Sequence, residues 1–521
     1  MTELKTYLLK RHHGLLVSAV VIGSTLTIYS ENASSEWWTP GEDTPIAPYI
    51  EYANEYGTVG VLNTEGTVIT DGHPFFEDLG ENGRGCVTCH QPADGMSLSL
   101  SSIQERWEET GGMDPLFAAV DGMDCPNLPA GEADSHSLLL KRGLIRINLP
   151  WPPVDQAGNT IDPEFSIEVV RDPTGCNNDP VYGLEGERQE ISVYRRPRLA
   201  GNLRYVASSS FGVGPFIGKT GELAGIDPET GRPVNMNMMA DARVFTLKMQ
   251  AQSAATSHLE ILGGLSAEQL QQIEDFEQQL YVAQAFSFGA GRLVEEGGPS
   301  GLGPQAMAAG RDGLLGNNIT NYVFPMENKW ADLPDGGTED EAARNAFRES
   351  VQRGHDNFFF RTFFIKDAQH INTVGMGNPI KRTCATCHGM HMTGMDAANG
   401  WMDLGTTNHP WALEPAESPW AEEMPEMPLF RVTCRSDLPP HPFLGREIYT
   451  QDPGRALISG KCQDVGAIVM QQMRGLSARA PYFSNGSAAN LRELVDFYDR
   501  RFNIRYTEQE KIDLINFLSV L

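Results

Sequence analysis

Two short cysteine–histidine motifs constrain this chain more than any other feature of its sequence. They are CVTCH, with Cys86, Cys89 and His90, and CATCH, with Cys384, Cys387 and His388. CxxCH is the attachment pattern of c-type haem, in which two thioether bonds tether the porphyrin and the adjacent imidazole binds the iron. A zinc site or a thioredoxin-like CxxC does not require histidine at the next position in both copies. The sequence therefore predicts two covalently bound haem c groups.

The charge balance narrows the class of partner. The chain has 521 residues, enough for two or three domains, with 40 Lys and Arg against 68 Asp and Glu, a formal net charge of −28. A surface this acidic repels polyphosphates, which argues against nucleic acid and leaves a basic protein partner open. Its 40 % hydrophobic and 21 % charged residues are typical of a globular protein.

Residues 1–35 are interpreted as a targeting segment. Lys5, Lys10 and Arg11 precede an uncharged, mostly apolar run, Gly14–Tyr29, which is shorter than the ~20 residues that a membrane-spanning helix needs. An export signal is favoured, and an uncleaved membrane anchor is the alternative. A buried N-terminal helix is disfavoured because the run lacks amphipathic spacing. Either way we expect a periplasmic or otherwise exported protein.

Four cysteines lie outside the two motifs. They are Cys125, Cys176, Cys434 and Cys462. In an exported protein such cysteines usually pair, and proximity in the sequence favours Cys125 with Cys176 and Cys434 with Cys462. Each bridge is expected to contribute roughly 3–4 kcal/mol of stability in the chain-entropy model.

The predicted fold class is mainly α, with two cytochrome c-like haem domains, long loops and few short strands. The glycine-rich stretch Gly289–Asn318 indicates loops near a boundary, which places an N-terminal haem domain at 36–330 and a C-terminal haem domain at 331–521. Capping boxes at Ser266 with Gln269 and at Thr507 with Glu510 predict helices.

Several sequence islands resemble the bacterial di-haem cytochrome c peroxidase and MauG family. In the C-terminal half they are Asp452–Leu457, Met473–Leu476 and Ala480–Ser487, continuing through Tyr498, and in the N-terminal half Gly85–His90, Tyr194–Pro197 and Leu247 with Gln250. These segments follow one another in the order typical of the family and surround the two CxxCH motifs. The resemblance therefore covers most of the chain after residue 70.

This resemblance implies an oxidoreductase that reduces hydrogen peroxide. The haem held by His90 would be peroxidatic, with an open or weakly occupied distal face, and the haem held by His388 would be six-coordinate and relay electrons. The implied partners are hydrogen peroxide and either a small electron-donor protein or an oxidisable protein or organic substrate.

The same resemblance suggests catalytic residues beside the first haem. Matching Leu247 and Gln250 to the family's L-x-x-Q pattern places its distal glutamate at Glu260. A carboxylate there can move the peroxide proton, and Gln250 can orient peroxide by hydrogen bonds. The alternative for Glu260 is a solvated glutamate on a helix face. His258 is an alternative acid, base or labile distal ligand, or a structural histidine.

Tyr498 is the implied sixth ligand of the second haem. It follows Leu491 at an i, i+3, i+4, i+7 spacing, which also suits a buried core tyrosine. Met470 and Met473 are the competing ligands. His391 follows His388 too closely to reach the opposite face of the same haem.

The chain also departs from the family pattern. Ala240–Arg243 stands where many relatives carry an inter-haem tryptophan, and Ser484 replaces a common histidine. Relatives bind calcium partly through backbone oxygens at positions matching Arg479 and Pro481, but Arg195 replaces the usual asparagine ligand, so a calcium site is doubtful. Two other function classes stay open: a non-enzymatic di-haem electron carrier, and a dioxygen-using oxygenase like the related rubber oxygenases.

Haem loading tests the central prediction. Expression in a host with haem-attachment machinery should give two covalent haems per chain, and changing Cys384 and Cys387 together to alanine should leave one, because each motif supplies its own thioethers. Haem is counted by pyridine haemochrome spectra. Haem that acid acetone extracts from the unmodified protein would contradict covalent attachment.

Overall fold

A computed structural model describes residues 37–208, 237–310, 328–368, 377–388, 401–409 and 424–521. The predicted targeting segment and His391 lie outside these ranges. Within them, no helix has both the length and the hydrophobicity needed to cross a membrane.

Eleven α-helices occur in the described ranges. They are α1 Leu100–Thr110, α2 Ser137–Arg142, α3 Leu203–Ser208, α4 Leu247–His258, α5 Ala267–Gln279, α6 Gly303–Gly310, α7 Glu339–Phe360, α8 Ala385–His388, α9 Ala456–Ser459, α10 Leu491–Phe502 and α11 Glu508–Ser519. The capping boxes predicted at Ser266 and Thr507 both form, at the starts of α5 and α11. Helix α6 lies inside the glycine-rich stretch that the sequence indicated as loops.

Fourteen strands occur in the same ranges. They are β1 Tyr49–Asn54, β2 Gly57–Asn63, β3 Ile145–Pro150, β4 Phe165–Arg171, β5 Glu190–Arg195, β6 Leu280–Ser287, β7 Gly291–Arg292, β8 Phe363–Ile365, β9 Ile380–Arg382, β10 Trp401–Met402, β11 Asn408–His409, β12 Leu429–Cys434, β13 Glu447–Thr450 and β14 Ile468–Val469. They form antiparallel sheets in the orders β1-β2-β6-β7, β11-β13-β12-β4, β3-β5, β8-β9 and β10-β14.

The predicted mainly α fold class is wrong. Within the described residues the structure is 32 % helix and 19 % strand, with five small antiparallel sheets, and is a mixed α/β fold. Strand β4 does carry a local signal of strand structure. Its residues alternate between buried or partly buried and exposed positions. Its partner β12 lies far along the chain, and such long-range pairing has no signature in a local window.

Sheet pairing crosses the predicted domain boundary at residue 330. Strand β4 precedes that boundary and β12 follows it, yet Ile167 pairs with Val432. Residues Trp37–Leu521 form one compact unit. The division into an N-terminal and a C-terminal haem domain at residue 330 stays a prediction.

Both predicted disulfides are present. Cys125 pairs with Cys176, and Cys434 pairs with Cys462. The first holds loops beside β5, and the second joins β12 to the turn after α9. These bridges are compatible with an exported protein.

Two helices of the C-terminal half pack closely against each other. Helices α7 and α11 approach at Gly354, where an added Cβ would lie 2.0 Å from the carbonyl oxygen of Asp513. The Asp513 carboxylate accepts hydrogen bonds from Ser350 at 2.6 Å and from the Arg353 guanidinium at 2.9 and 3.0 Å. Glycine is needed here because any side chain would separate the helices.

A buried cation joins distant parts of the chain. Arg195, at the end of β5, is 2 % exposed and lies between Asp241 and Asp452, with N–O distances of 2.5 Å to the first and 2.6 and 2.9 Å to the second. Burial raises the pKa of Asp241, but Arg243 and Arg195 outweigh burial and lower it to about 2. The Asp241 carboxylate therefore stays charged beside the guanidinium.

Replacing Arg195 with methionine should destabilise the protein by about 3–5 kcal/mol, because Asp452 would keep a buried charge without its cation. Denaturant unfolding of the variant measures this loss. Arg435→Met is the matched control, since Arg435 is 43 % exposed and pairs with surface carboxylates. An equal loss in both variants would contradict the role given to Arg195.

Candidate haem sites

The first CxxCH motif presents its histidine to a cavity. Cys86–Thr88 forms a 3-10 turn, and Gly85 precedes it where a Cβ would lie 2.5 Å from the carbonyl oxygen of Glu77. The His90 Nδ1 lies 3.2 Å from the carbonyl oxygen of Met96, to which it donates a hydrogen bond. Burial lowers the pKa of His90 to about 4, so the ring is neutral, the form that binds a metal.

The cavity beside His90 contains polar groups that lack partners. It encloses about 1330 Å³ of empty space, part of it open to solvent, and is lined by both cysteines of the motif. Gln250 Oε1, Glu277 Oε2 and Gln472 Oε1 belong to side chains that line this cavity, and these buried oxygens have no hydrogen-bond partner among the described residues. Burial, followed by the charge of Glu274, raises the pKa of Glu277 to about 8. Buried polar atoms are normally satisfied, so these orphans indicate a missing occupant.

A histidine at the end of α4 lines the same cavity. His258 ends α4, and its Nδ1 lies 2.5 Å from Asp121, to which it donates a hydrogen bond. Asp121 also pairs with the buried Arg84, whose Nε and Nη2 donate to two backbone carbonyl oxygens at 2.7 Å. Burial raises the pKa of Asp121, but Arg84 and the His258 hydrogen bond outweigh it, so the pKa is lowered. The His258 ring is thereby oriented with Nε2 as its unbound nitrogen.

The two predicted catalytic residues lie in different surroundings. Gln250 lines the cavity from α4. Glu260 does not line it: the residue is exposed, has φ of 55°, and its Oε2 accepts a hydrogen bond from Asn82 at 3.3 Å. The structure thus brings Gln250, His258 and His90 to one cavity and places Glu260 on the surface beside it. The role of Glu260 stays a prediction from the resemblance.

The second CxxCH motif also lies beside cavities. Cys384 precedes α8, which carries Cys387 and ends at His388. Two adjoining cavities of about 880 and 640 Å³ share His388 and Tyr498 in their walls. Burial lowers the pKa of His388 to about 4, and its Nδ1 has no hydrogen-bond partner among the described residues. The neutral ring is suited to metal binding.

Tyr498 and two methionines compete for the face opposite His388. The rings of Tyr498 and His388 have centroids 6.4 Å apart, and Tyr498 projects from α10 into both adjoining cavities. Burial raises the pKa of the Tyr498 phenol, so without a metal it stays protonated. Met473 lines both spaces and Met470 lines one. The ligand choice predicted from the sequence therefore stays open between neighbouring side chains.

Two short segments separate the cavities. The residues that line both the His90 cavity and the larger His388 cavity are Arg196, Pro197, Gln471 and Gln472. No aromatic residue lines both among the described residues. The wall between the two cavities is thus formed by arginine, proline and glutamine side chains.

The cysteine inventory fits two covalent haems. Four cysteines form disulfides, and the four thiols of the motifs stay free, each pair beside a cavity that its own histidine also lines. His90 and His388 would be the iron ligands.

The residues at the calcium position that the family resemblance implied fit a calcium ion less well. Arg195 carries the positive charge between two carboxylates there, and the Arg479 carbonyl oxygen accepts a hydrogen bond from Arg196 at 3.1 Å.

Comparisons with known proteins leave the family undecided. No protein-family model and no curated protein matches this chain. A solved structure of Kuenenia stuttgartiensis hydrazine synthase, pressurised with xenon, matches 81 % of this chain and 93 % of that chain. Its identity is 13 % and its TM-score 0.28, which carry no argument about fold or activity.

Asp121, Arg84 and Glu277 are site residues that the sequence interpretation missed. Arg84 stands two residues before Cys86, and this proximity was an available signal. Asp121 and Glu277 carry no motif, because their relation to the cavity depends on how distant loops and α5 pack.

Replacing Tyr498 with phenylalanine should change the absorption and electron paramagnetic resonance spectra of the His388 haem, because its sixth position would open or be reassigned. Tyr498→Met should raise its reduction potential, since thioether sulfur favours the reduced iron. Tyr506→Phe is the matched control, as Tyr506 lines the same cavity and lies 3.8 Å from the Cys384 sulfur. If Tyr498→Phe leaves the spectra unchanged, Met473 or Met470 becomes the expected ligand.

Proposed function

We propose that this chain is an exported di-haem c-type oxidoreductase that reduces hydrogen peroxide at the His90 site, with electrons relayed through the His388 site. Its two CxxCH motifs, the free thiols beside two cavities and the resemblance to di-haem peroxidases support this proposal. The disulfides support export to the periplasm or another oxidising compartment.

The observation that carries the peroxide assignment is the contrast between the two cavities. The His90 cavity contains His258 and the unpartnered amide oxygen of Gln250, which can hydrogen-bond a small polar substrate. The walls of the His388 cavities instead bring Tyr498, Met470 and Met473 near His388 as further residues that could hold a haem. A haem bound at the His90 site would supply the redox chemistry that cleaves the O–O bond.

His258 is the group best placed to move protons at the first site. Asp121 fixes the Nδ1 hydrogen and orients the ring, so Nε2 can accept a proton from one peroxide oxygen and return it to the other. Gln250 can orient the substrate by accepting a hydrogen bond through Oε1. Asp121 is itself held by Arg84, which prevents the carboxylate from turning away.

His258→Gln should slow the reaction of the two-haem protein with peroxide by roughly 10²–10⁴-fold, the usual effect of losing an acid–base group. Stopped-flow spectroscopy at saturating peroxide measures the rate. Glu260→Gln is the matched control two residues away, and we expect it to keep most of the rate because Glu260 lies outside the cavity. The reverse result would assign the proton transfer to Glu260, as the family resemblance implied.

The proposed activity has a separate test. The resting protein should show a high-spin ferric signal from one haem and consume peroxide when a reductant is supplied. Two low-spin signals with no peroxide consumption would favour the electron-carrier class. Stable dioxygen binding by the reduced protein would favour the oxygenase class.

A further inference from the structure

An open cleft lies on the side of α4 opposite the His90 cavity. It encloses about 1170 Å³ of empty space, part of it open to solvent. Its walls come from the end of β3, the loop after it, α4, α5 and α9, and most of the lining side chains are apolar, among them Leu149, Val154, Leu270 and Leu457. Binding sites for small molecules are typically mostly apolar clefts with a few polar groups that fix the orientation of the ligand.

Helix α4 separates this cleft from the His90 cavity. Gln250 and Ala254 line the cavity, whereas Met249 and Ser253 line the cleft. Arg243, which precedes the helix, lines both spaces. Because an α-helix with its side chains is about 10–12 Å across, a ligand in the cleft would lie one helix away from the proposed peroxide site.

Arg243 brings a positive charge to the cleft. The guanidinium groups of Arg195, Arg243 and Arg455 all act on the Asp241 carboxylate, and Arg195 also pairs with Asp452. Three cations therefore face two carboxyl groups, and the cluster keeps a net positive charge. Arg195 and Arg455 are buried, whereas 16 % of the Arg243 side chain is exposed. The excess charge is thus most accessible at Arg243.

Two side chains can donate hydrogen bonds to an anion in the cleft. Arg243 donates from Nη1 to Asp241 at 2.9 Å, and a guanidinium has five N–H donors, so others can bind a second carboxylate. Lys248 also lines the cleft, and its Nζ lies 3.8 Å from the Glu274 carboxylate, which is longer than a hydrogen bond. An ion pair of this length between partly exposed groups restrains the ammonium only weakly.

Asp155 is the one acidic residue among the described side chains that line the cleft. Its Oδ1 accepts hydrogen bonds from the backbone N–H groups of Ala157 at 2.9 Å and Asn159 at 2.8 Å, and its Oδ2 accepts one from Asn159 Nδ2 at 3.0 Å. These bonds hold the carboxylate within its own turn. The cleft therefore has two cationic side chains against one anionic one, although the whole chain has a net charge of −28.

We propose that this cleft binds an organic acid with an apolar body, such as a phenolic carboxylate, and that this acid is the oxidisable substrate of the protein. The apolar walls match the body of such a molecule, and Arg243 and Lys248 match its carboxylate. The inference rests on the proposed function, and it specifies the class of organic substrate that the sequence interpretation left open. An uncharged molecule of the same shape would gain nothing from the two cations.

The reaction with a phenolic acid is balanced. Two molecules of the acid each lose one electron and the phenolic proton. These two electrons and two protons convert one hydrogen peroxide to two water molecules, and the organic products are two phenoxyl radicals. No further oxidant or reductant is needed.

Calorimetry with 4-hydroxybenzoate and its uncharged amide, 4-hydroxybenzamide, tests the cleft in the absence of peroxide. The unmodified two-haem protein should bind the acid with a dissociation constant below about 1 mM and the amide at least about threefold more weakly. Lys248→Met should weaken binding of the acid about threefold or more at low ionic strength and leave binding of the amide unchanged, because only the acid has a charge to pair. Ser253→Phe should weaken binding of both, since the larger side chain fills the cleft from α4.

Lys329→Met is the matched control. Lys329 is exposed, lines none of the cavities described above, and its replacement changes the net charge by the same amount. Equal weakening by Lys329→Met would show that net charge governs binding and would overturn the proposal. So would equal affinity for acid and amide, unchanged binding in Ser253→Phe, or failure of the unmodified protein to bind the acid.

Substrate binding and the proposed function fail in different measurements. Peroxide consumption by the unmodified protein with hydroquinone, an uncharged reductant, tests the function and does not need the two cations. Absence of this activity together with normal binding of 4-hydroxybenzoate would contradict the function alone. Normal activity with hydroquinone and no binding of the acid would contradict the substrate proposal alone. In an active protein, Lys248→Met should raise the KM for 4-hydroxybenzoate and leave kcat nearly unchanged, because Lys248 contacts the carboxylate and lies outside the His90 cavity.

Discussion

The burial of Arg195 between Asp241 and Asp452 is the interaction on which the arrangement of both cavities depends. Arg195 ends β5, and the next two residues, Arg196 and Pro197, form part of the wall between the His90 and His388 cavities. A guanidinium removed from water requires nearby carboxylates, so this position forces segments from distant parts of the chain together. The spacing of the two cavities is therefore tied to one ionic cluster.

The two cavities differ in the side chains that they place beside the motif histidine. The first contains hydrogen-bonding groups held at fixed positions: His258 is oriented by Asp121, and Asp121 by Arg84. The walls of the second bring Tyr498 and Met473 near His388, although Arg196, Gln471 and Gln472 also line its larger part. The two motifs thus lie in different chemical surroundings within one chain.

Predictions from the sequence were correct where the interacting residues lie close together in the chain, and they failed where those residues lie far apart. Helix caps at Ser266 and Thr507 depend on residues three apart, and both formed as predicted. The two predicted disulfides also formed, between cysteines that are 51 and 28 residues apart in the sequence. Strand pairing between β4 and β12 could not be predicted from local patterns, because neither strand contains information about its partner. That long-range pairing is why the predicted mainly α fold was wrong.

The amino-acid sequence by itself predicts where haem would attach, because CxxCH contains both tethering sulfurs and one ligand within five residues. It also determined the acidic net charge of the chain. Only the tertiary structure decided that His258 rather than Glu260 lines the first cavity, and that Tyr498 and Met473 share the second. The reason is that a cavity is formed by side chains from separate elements, and their convergence depends on packing that no single segment encodes.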